Sequence, residues 1–253
     1  MTVQYEKAFS AWLDRALSRS VPRPVAAFVL NLYEGVDTFD AEIAGAARLD
    51  RGHREVLSEE RFSIPRRFVD DFRTEALLLY EEWFSSYLTR RDRAPILAGA
   101  EGIAVGFADG NLILVHPRMP LEAVHAVFDY YDGVRGGVAD FQGRPHAFRR
   151  ELDEQSHDWS NFYRLKPLAE EELRTVMADW SIWTRWLTAY RAGRTGADTH
   201  PALPEDRPAH EQIADAVAAA MSVDENSRVV WGKFHGRVPP DGELEVQWNE
   251  VLS

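Results

Sequence analysis

The spacing of apolar positions changes several times along the chain, and each change marks an element. From about Val3 to Ser18, Tyr5, Phe9, Trp12, Leu13 and Ala16 recur on one face at helical spacing, so an amphipathic helix is expected there. Val21-Pro22-Arg23-Pro24 should end it, because each proline disfavours helix in the residue before it. Val25 to Tyr33 is a short run of Val, Ala, Phe, Leu and Tyr that reads as a buried strand, followed by turn residues Glu34-Gly35-Val36-Asp37. In Thr38 to Ala44, Phe39, Ala41 and Ile43 alternate with Thr38, Asp40 and Glu42. The two runs predict an antiparallel hairpin with one acidic face. A third short strand is expected near Val56.

Ser63-Ile64-Pro65 has the chemistry of a helix start, with Ser63 as cap and Pro65 in the first turn. The stripe Phe68, Phe72, Ala76, Leu79, Trp83 and Tyr87 continues it, widened by Val69, Leu77, Tyr80, Phe84 and Leu88. Ile103–Phe107 and Leu112–His116 flank Ala108-Asp109-Gly110-Asn111, a strong hairpin signal. Pro120 to about Tyr131 reads as a helix with Leu121, Val124, Val127, Phe128 and Tyr131 inward. Residues 132–161 are glycine-punctuated and loop-like, and their length calls for short elements or a domain boundary. Leu168 to Arg191 is a second strong helix, with Glu170, Glu171 and Glu172 in its first turn and Arg191 at its end. A Pro-rich stretch, a helix capped by Asp206, and a last hairpin of Val229–His235 with Leu244–Trp248 complete the chain.

There is no internal repeat, and helices mix with antiparallel hairpins rather than alternating as βαβ units. The expected class is α+β, with antiparallel hairpins packed against several amphipathic helices. Residues 1–131 read as an α+β domain with two β-hairpins. Residues 132–253 read as a helical region with a C-terminal hairpin, either separate or part of the same domain.

Composition narrows the chemistry. Of 253 residues, 45% are hydrophobic and 28% charged, so a substantial core is available. The absence of cysteine excludes disulfides, thiolate metal sites and cysteine nucleophiles. No signal peptide is visible at Met1-Thr2-Val3-Gln4-Tyr5, and no apolar run approaches the roughly 18 residues of a membrane span. A cytoplasmic protein with no membrane partner is expected. The formal net charge of -12 repels nucleic acid and serves solubility first, and it also favours a basic partner protein. The one basic cluster, Arg90-Arg91-Asp92-Arg93, follows a helix whose C-terminus it complements.

The candidate chemistry is sparse. The eight histidines show no i, i+4 pair, and in His210-Glu211 the second ligand position of a zinc-protease motif is Ala214, so neither a metal nor a cofactor is expected. Gly102-Ile103-Ala104-Val105-Gly106 lacks the features of a phosphate loop, no G-x-S-x-G elbow occurs, and no catalytic residue is assigned. Glu34, Asp37, Asp40 and Glu42 are open to three readings: a solvated strand face, paired carboxylates, or an acidic surface for a basic partner. Trp180, Trp183 and Trp186 lie three apart on one helix; core packing is the first reading of the row, and because Trp186 falls beside the inward stripe a partly exposed aromatic surface for binding is the alternative.

Ala27-Phe28-Val29-Leu30-Asn31-Leu32-Tyr33-Glu34 with Phe39-Asp40-Ala41-Glu42-Ile43-Ala44-Gly45, and Gly102 to Gly110, together resemble the hairpins of uncharacterised bacterial domains encoded as immunity proteins beside polymorphic toxins. The resemblance covers the first half of the chain. It implies a protein that covers the active site of a basic toxin; the clustered Glu34, Asp37, Asp40 and Glu42, and separately Trp186 from its place beside the helical stripe, are the expected partner contacts. The alternatives are an enzyme whose carboxylates and histidines converge from distant segments, and a subunit of a larger assembly.

Overall fold

The computed structural model describes residues 2–18, 25–49, 54–69, 72–90, 95–153 and 158–252. The expected helix stop at Val21–Pro24 lies outside the described residues, as do Arg91–Arg93 of the basic cluster, His53 and His157. The chain divides into two compact units, Met1–Met119 with Asn249–Ser253, and Pro120–Trp248.

In the first unit, α1 (Thr2–Leu17) precedes the predicted hairpin of β1 (Ala27–Glu34) and β2 (Thr38–Ala46). Short strands β3 (Arg54–Val56) and β4 (Phe62–Pro65) pair with β2. They are followed by α2 (Arg73–Thr89), the single turn α3 (Pro95–Ala98), and the hairpin of β5 (Gly102–Phe107) and β6 (Leu112–His116). β5 runs parallel to β1, so the sheet is mixed. Residues opposite one another share a face, which gathers Leu30, Leu32, Phe39, Ala41, Val105 and Phe107 on one side. Phe9 of α1 meets Phe62, Tyr80, Trp83 and Phe84 at centroid separations of 5.4, 5.9, 5.8 and 6.5 Å, knitting both long helices to β4. The buried Tyr80 hydroxyl donates to the Phe39 carbonyl at 2.9 Å and ties α2 to β2.

Helix α2 starts at Arg73 rather than at the expected Ser63 cap. Ser63 and Pro65 belong instead to β4, where Phe62 and Ile64 lie across from Ala41 and Phe39. Laying two large apolar side chains on the sheet outweighs a first helical turn there.

The second unit carries the larger correction. It contains β7 (Leu121–Tyr130), β8 (Val134–Phe141), β9 (Arg144–Asp153), β10 (Asp158–Pro167), α4 (Glu170–Arg191), α5 (Arg207–Met221), β11 (Arg228–Gly236) and β12 (Leu244–Leu252), whose last residues belong to the first unit. Each strand from β7 to β12 pairs with the next, and β12 pairs back onto β7. The expected architecture of antiparallel hairpins packed on helices is therefore overturned: a closed six-stranded antiparallel β-barrel dominates. Phe148, Tyr163, Phe234 and Trp248 fill its interior with ring centroids 5.4 to 6.0 Å apart. On its outside, Leu168, Val176, Trp180 and Ala220 of the helical segments cover Ala126, Val138 and Ala147.

Two misreadings fall in this unit. The segment expected to be a helix from Pro120 is β7, and its ladder with β8 shifts register repeatedly. Each bulge adds a residue, so the buried Val124 and Val127 fall three apart and imitate helical spacing. The loop-like stretch 132–161 is β8, β9 and the start of β10. Gly133 and Gly143 sit in the turns, where Asp132 and Gly133 have φ of 54° and 102° and Gln142 and Gly143 of 54° and 70°, while Gly136 and Gly137 lie within β8. Left-handed backbone of this kind suits tight hairpins.

Inside the barrel the Tyr163 hydroxyl donates to the Val134 carbonyl at 2.9 Å. Burial pushes this phenol up to about 12, above its ordinary 10.0. The stability it contributes is therefore complete below about pH 10 and is lost as pH rises toward 12. Tyr163→Phe is expected to cost about 1–2 kcal/mol at neutral pH. It should also flatten the loss of stability between about pH 10 and 12, as read by denaturant melts. An unchanged alkaline slope would assign that loss to other groups.

Candidate partner-binding surfaces

The hairpin carboxylates do not form one face. The register sets Tyr33 opposite Asp40 and Asn31 opposite Glu42, so Asp40 and Glu42 share a side with Tyr33. Glu34 lies opposite Phe39, on the other side. Asp37 sits in the exposed turn beside Val36, which is 92% exposed.

Arginines from later segments reach two of these carboxylates. Arg66 lies 2.7 Å and Arg73 3.8 Å from Glu34. Glu42 accepts hydrogen bonds from the Tyr33 hydroxyl at 2.9 Å and from Arg61 at 3.4 Å. Arg61 also stacks on the Tyr33 ring at 3.7 Å, and Arg73 on Phe107 at 4.2 Å. The hydrogen bond from Arg73 holds Asp109 below the usual carboxylate range. The surface is thus mixed in charge, and its guanidiniums are held by aromatic faces as well as by ion pairs. Beside it, Val36, Asp37, Thr38, Pro65, Arg66 and Arg67 line an open groove of about 660 Å³. Sequence reading missed the arginines because they are distant in the chain from the carboxylates they meet.

Trp186 is not a surface anchor. It is 6% exposed, its indole N–H donates to the Thr199 hydroxyl at 3.0 Å, and its ring stacks on Tyr190 at 5.1 Å and meets His200 at 4.6 Å. It fastens the segment after α4 back onto the helix.

A different aromatic cluster is exposed at the β7–β8 end of the barrel. Tyr130 is 59% and Tyr131 72% exposed, with Phe128 and Leu152 also at the surface. The Arg135 guanidinium lies 4.9 Å from the Tyr131 ring and 4.3 Å from the Trp159 ring. Behind them Arg150 donates to the carbonyls of Asp132 at 3.2 Å, Trp159 at 3.1 Å and Ser160, and to the Asn161 side chain at 3.0 Å. One guanidinium thereby joins the β7–β8 turn to the start of β10 and stiffens this end. The helical reading of β7 turned Phe128 and Tyr131 inward. The signal that could have found the hairpin is Asp132-Gly133, the same dipeptide as Asp109-Gly110.

Histidines and carboxylates meet in pairs. His125 Nε2 is 2.9 Å from Asp140 Oδ1, joining β7 to β8, and His210 Nδ1 is 2.6 Å from Asp179 Oδ1, joining α5 to α4. Arg185 forks onto Asp206 at 2.8 and 2.9 Å across the same helix pair. Asp206 therefore anchors α5 through its carboxylate, without the expected side-chain cap. Among the described residues no group of three His, Asp or Glu side chains could hold a metal ion, and no helix is long and apolar enough to cross a membrane. Comparison with protein-family models, curated proteins and solved structures finds no match to this chain.

Because Trp186 holds structure, Trp186→Ala should destabilise the protein by about 3–5 kcal/mol, measured by denaturant unfolding. A stability change below about 1 kcal/mol would mean that the segment does not depend on this contact.

Proposed function

We propose that the protein acts by binding another protein, with the aromatic end of the barrel as its main contact surface. The observation that carries this reading is the exposed pair Tyr130 and Tyr131, braced by Arg135 between Tyr131 and Trp159. Tyr, Trp and Arg dominate binding hot spots, because they offer large contact area and a polar group together. Tyrosine loses little conformational entropy on contact, and the Arg150 network reduces the ordering cost further.

The net charge of -12 favours a basic partner. Together with the resemblance of the first half of the chain, this supports a narrower reading: a cytoplasmic immunity protein that covers the active site of a cognate toxin. Arginines already engage Glu34 and Glu42, so on this reading Glu34, Asp37, Asp40 and Glu42 add to the steering field more than to direct ion pairs.

The test is capture from a lysate of the native host, identification of the retained protein, and titration with that protein purified. One stoichiometric partner is expected. Tyr130→Ser with Tyr131→Ser should weaken it about a hundredfold without lowering protein stability. Neutralising Glu34, Asp37, Asp40 and Glu42 to their amides should slow association at low salt and leave dissociation nearly unchanged. Recovery of no specific partner, or equal affinity for the tyrosine variant, would overturn the reading.

A further inference from the structure

The opposite rim of the same barrel carries inward-facing basic side chains. Phe141, Ala139 and Leu165 belong to the barrel interior. The ladders set Arg144 opposite Phe141, His146 opposite Ala139, and Arg228 opposite Leu165. Residues opposite one another share a face, so Arg144, His146 and Arg228 also point toward the barrel axis, above the packed aromatic core. They border an open cavity of about 840 Å³ whose floor includes Phe141 and Leu165, and whose rim offers the polar groups of Gln142, Asn226 and Ser227.

The details favour a ligand over a simply solvated rim. The Arg228 guanidinium lies 4.9 Å over the Phe141 ring, and His146 meets the edge of that ring at 5.5 Å. The His146 Nδ1–H donates to the Arg144 carbonyl at 2.7 Å, which fixes the imidazole and leaves Nε2 as its remaining nitrogen. Lys166 borders the cavity, but its ammonium donates to the Ala219 and Ala220 carbonyls at 3.0 Å each, at the end of α5. Asp224 is the carboxylate in the lining, and it already accepts from the Asn226 N–H at 3.0 Å and the Ser227 hydroxyl at 2.9 Å. Among the described residues no carboxylate pairs with Arg144. A chain of net charge -12 thus gathers a positive rim over an apolar floor.

We propose that this rim binds a small organic oxyanion, a phosphate ester or a carboxylate, with its charged group on Arg144 and Arg228 and its apolar part on Phe141 and Leu165. Guanidinium forks match both oxyanions in bidentate geometry, and the cavity falls in the range of about 300–1,000 Å³ typical of small-molecule sites. The site is separate from the protein contact proposed at the other end, and either can fail without the other.

The experiment is calorimetric titration of the full chain with phenyl phosphate, benzoate and inorganic phosphate. Saturable binding of phenyl phosphate or benzoate is expected, and which of them binds tighter identifies the phosphate or the carboxylate source. Inorganic phosphate should bind more weakly than phenyl phosphate, because it has nothing to place on Phe141. Arg144→Gln or Arg228→Gln alone should weaken binding about tenfold or more, and the double variant should abolish it. Arg144→Lys with Arg228→Lys keeps the charge and should bind between wild type and the glutamine pair. Arg174→Gln, on the exposed face of α4, should change nothing. The proposal is overturned if none of the three probes saturates, if the double glutamine variant binds as wild type does, or if inorganic phosphate binds as tightly as phenyl phosphate.

Discussion

The second unit depends on one closure: β12 must hydrogen-bond to β7 on one side and to β11 on the other. A sheet of this kind left open would present two edges of unpaired backbone groups, and closing it removes both. Closure also sorts the side chains. Residues on one face must fill the barrel, and Phe148, Tyr163, Phe234 and Trp248 do so. Residues on the other face must be covered, and α4 and α5 cover Ala126, Val138 and Ala147. What remains is the two rims, where strands end and side chains are no longer needed for packing. Both candidate binding regions of the barrel lie there for that reason.

The rims are unlike because different residues finish the strands. At one, Arg150 spends its donors on backbone carbonyls and closes the end, leaving Tyr130 and Tyr131 outside. At the other, Arg144 and Arg228 continue the inward rows of the interior with charged groups. Net charge alone would have given both ends the same character. Local field follows where the fold sets guanidiniums and carboxylates beside one another. The hairpin carboxylates make the same point: Glu34 and Glu42 look like a bare acidic patch in the sequence and become members of arginine networks in the structure.

Much of the local structure was legible. The β1–β2, β5–β6 and β11–β12 hairpins, α1 and α4 follow from period and turn chemistry. The failures are physical. Bulges in β7 gave Val124 and Val127 a helical spacing, and the β4 residues Ser63 and Pro65 carry helix-start chemistry in a strand. Closure was out of reach, because the pairing of Leu121 with Gln247 joins residues far apart in the chain and leaves no local signature. The setting of Trp186 was hidden for a related reason. Trp186 was assigned by its offset from a stripe, but the loop around Thr199 and His200 folds over that side of α4 and buries it.

Strand β12 has a consequence for biosynthesis. Its first residues complete the barrel, while Val251 and Leu252 pair with Ile113 and Leu112 in the first unit. The first unit therefore cannot finish its sheet when its own first 119 residues leave the ribosome. Until residue 252 arrives, β6 offers an uncovered edge to whatever is nearby, and the interval is the time taken to translate the whole barrel. The order of synthesis and the order of assembly are opposed at this strand, which makes the nascent chain, more than the finished protein, the species most exposed to mispairing.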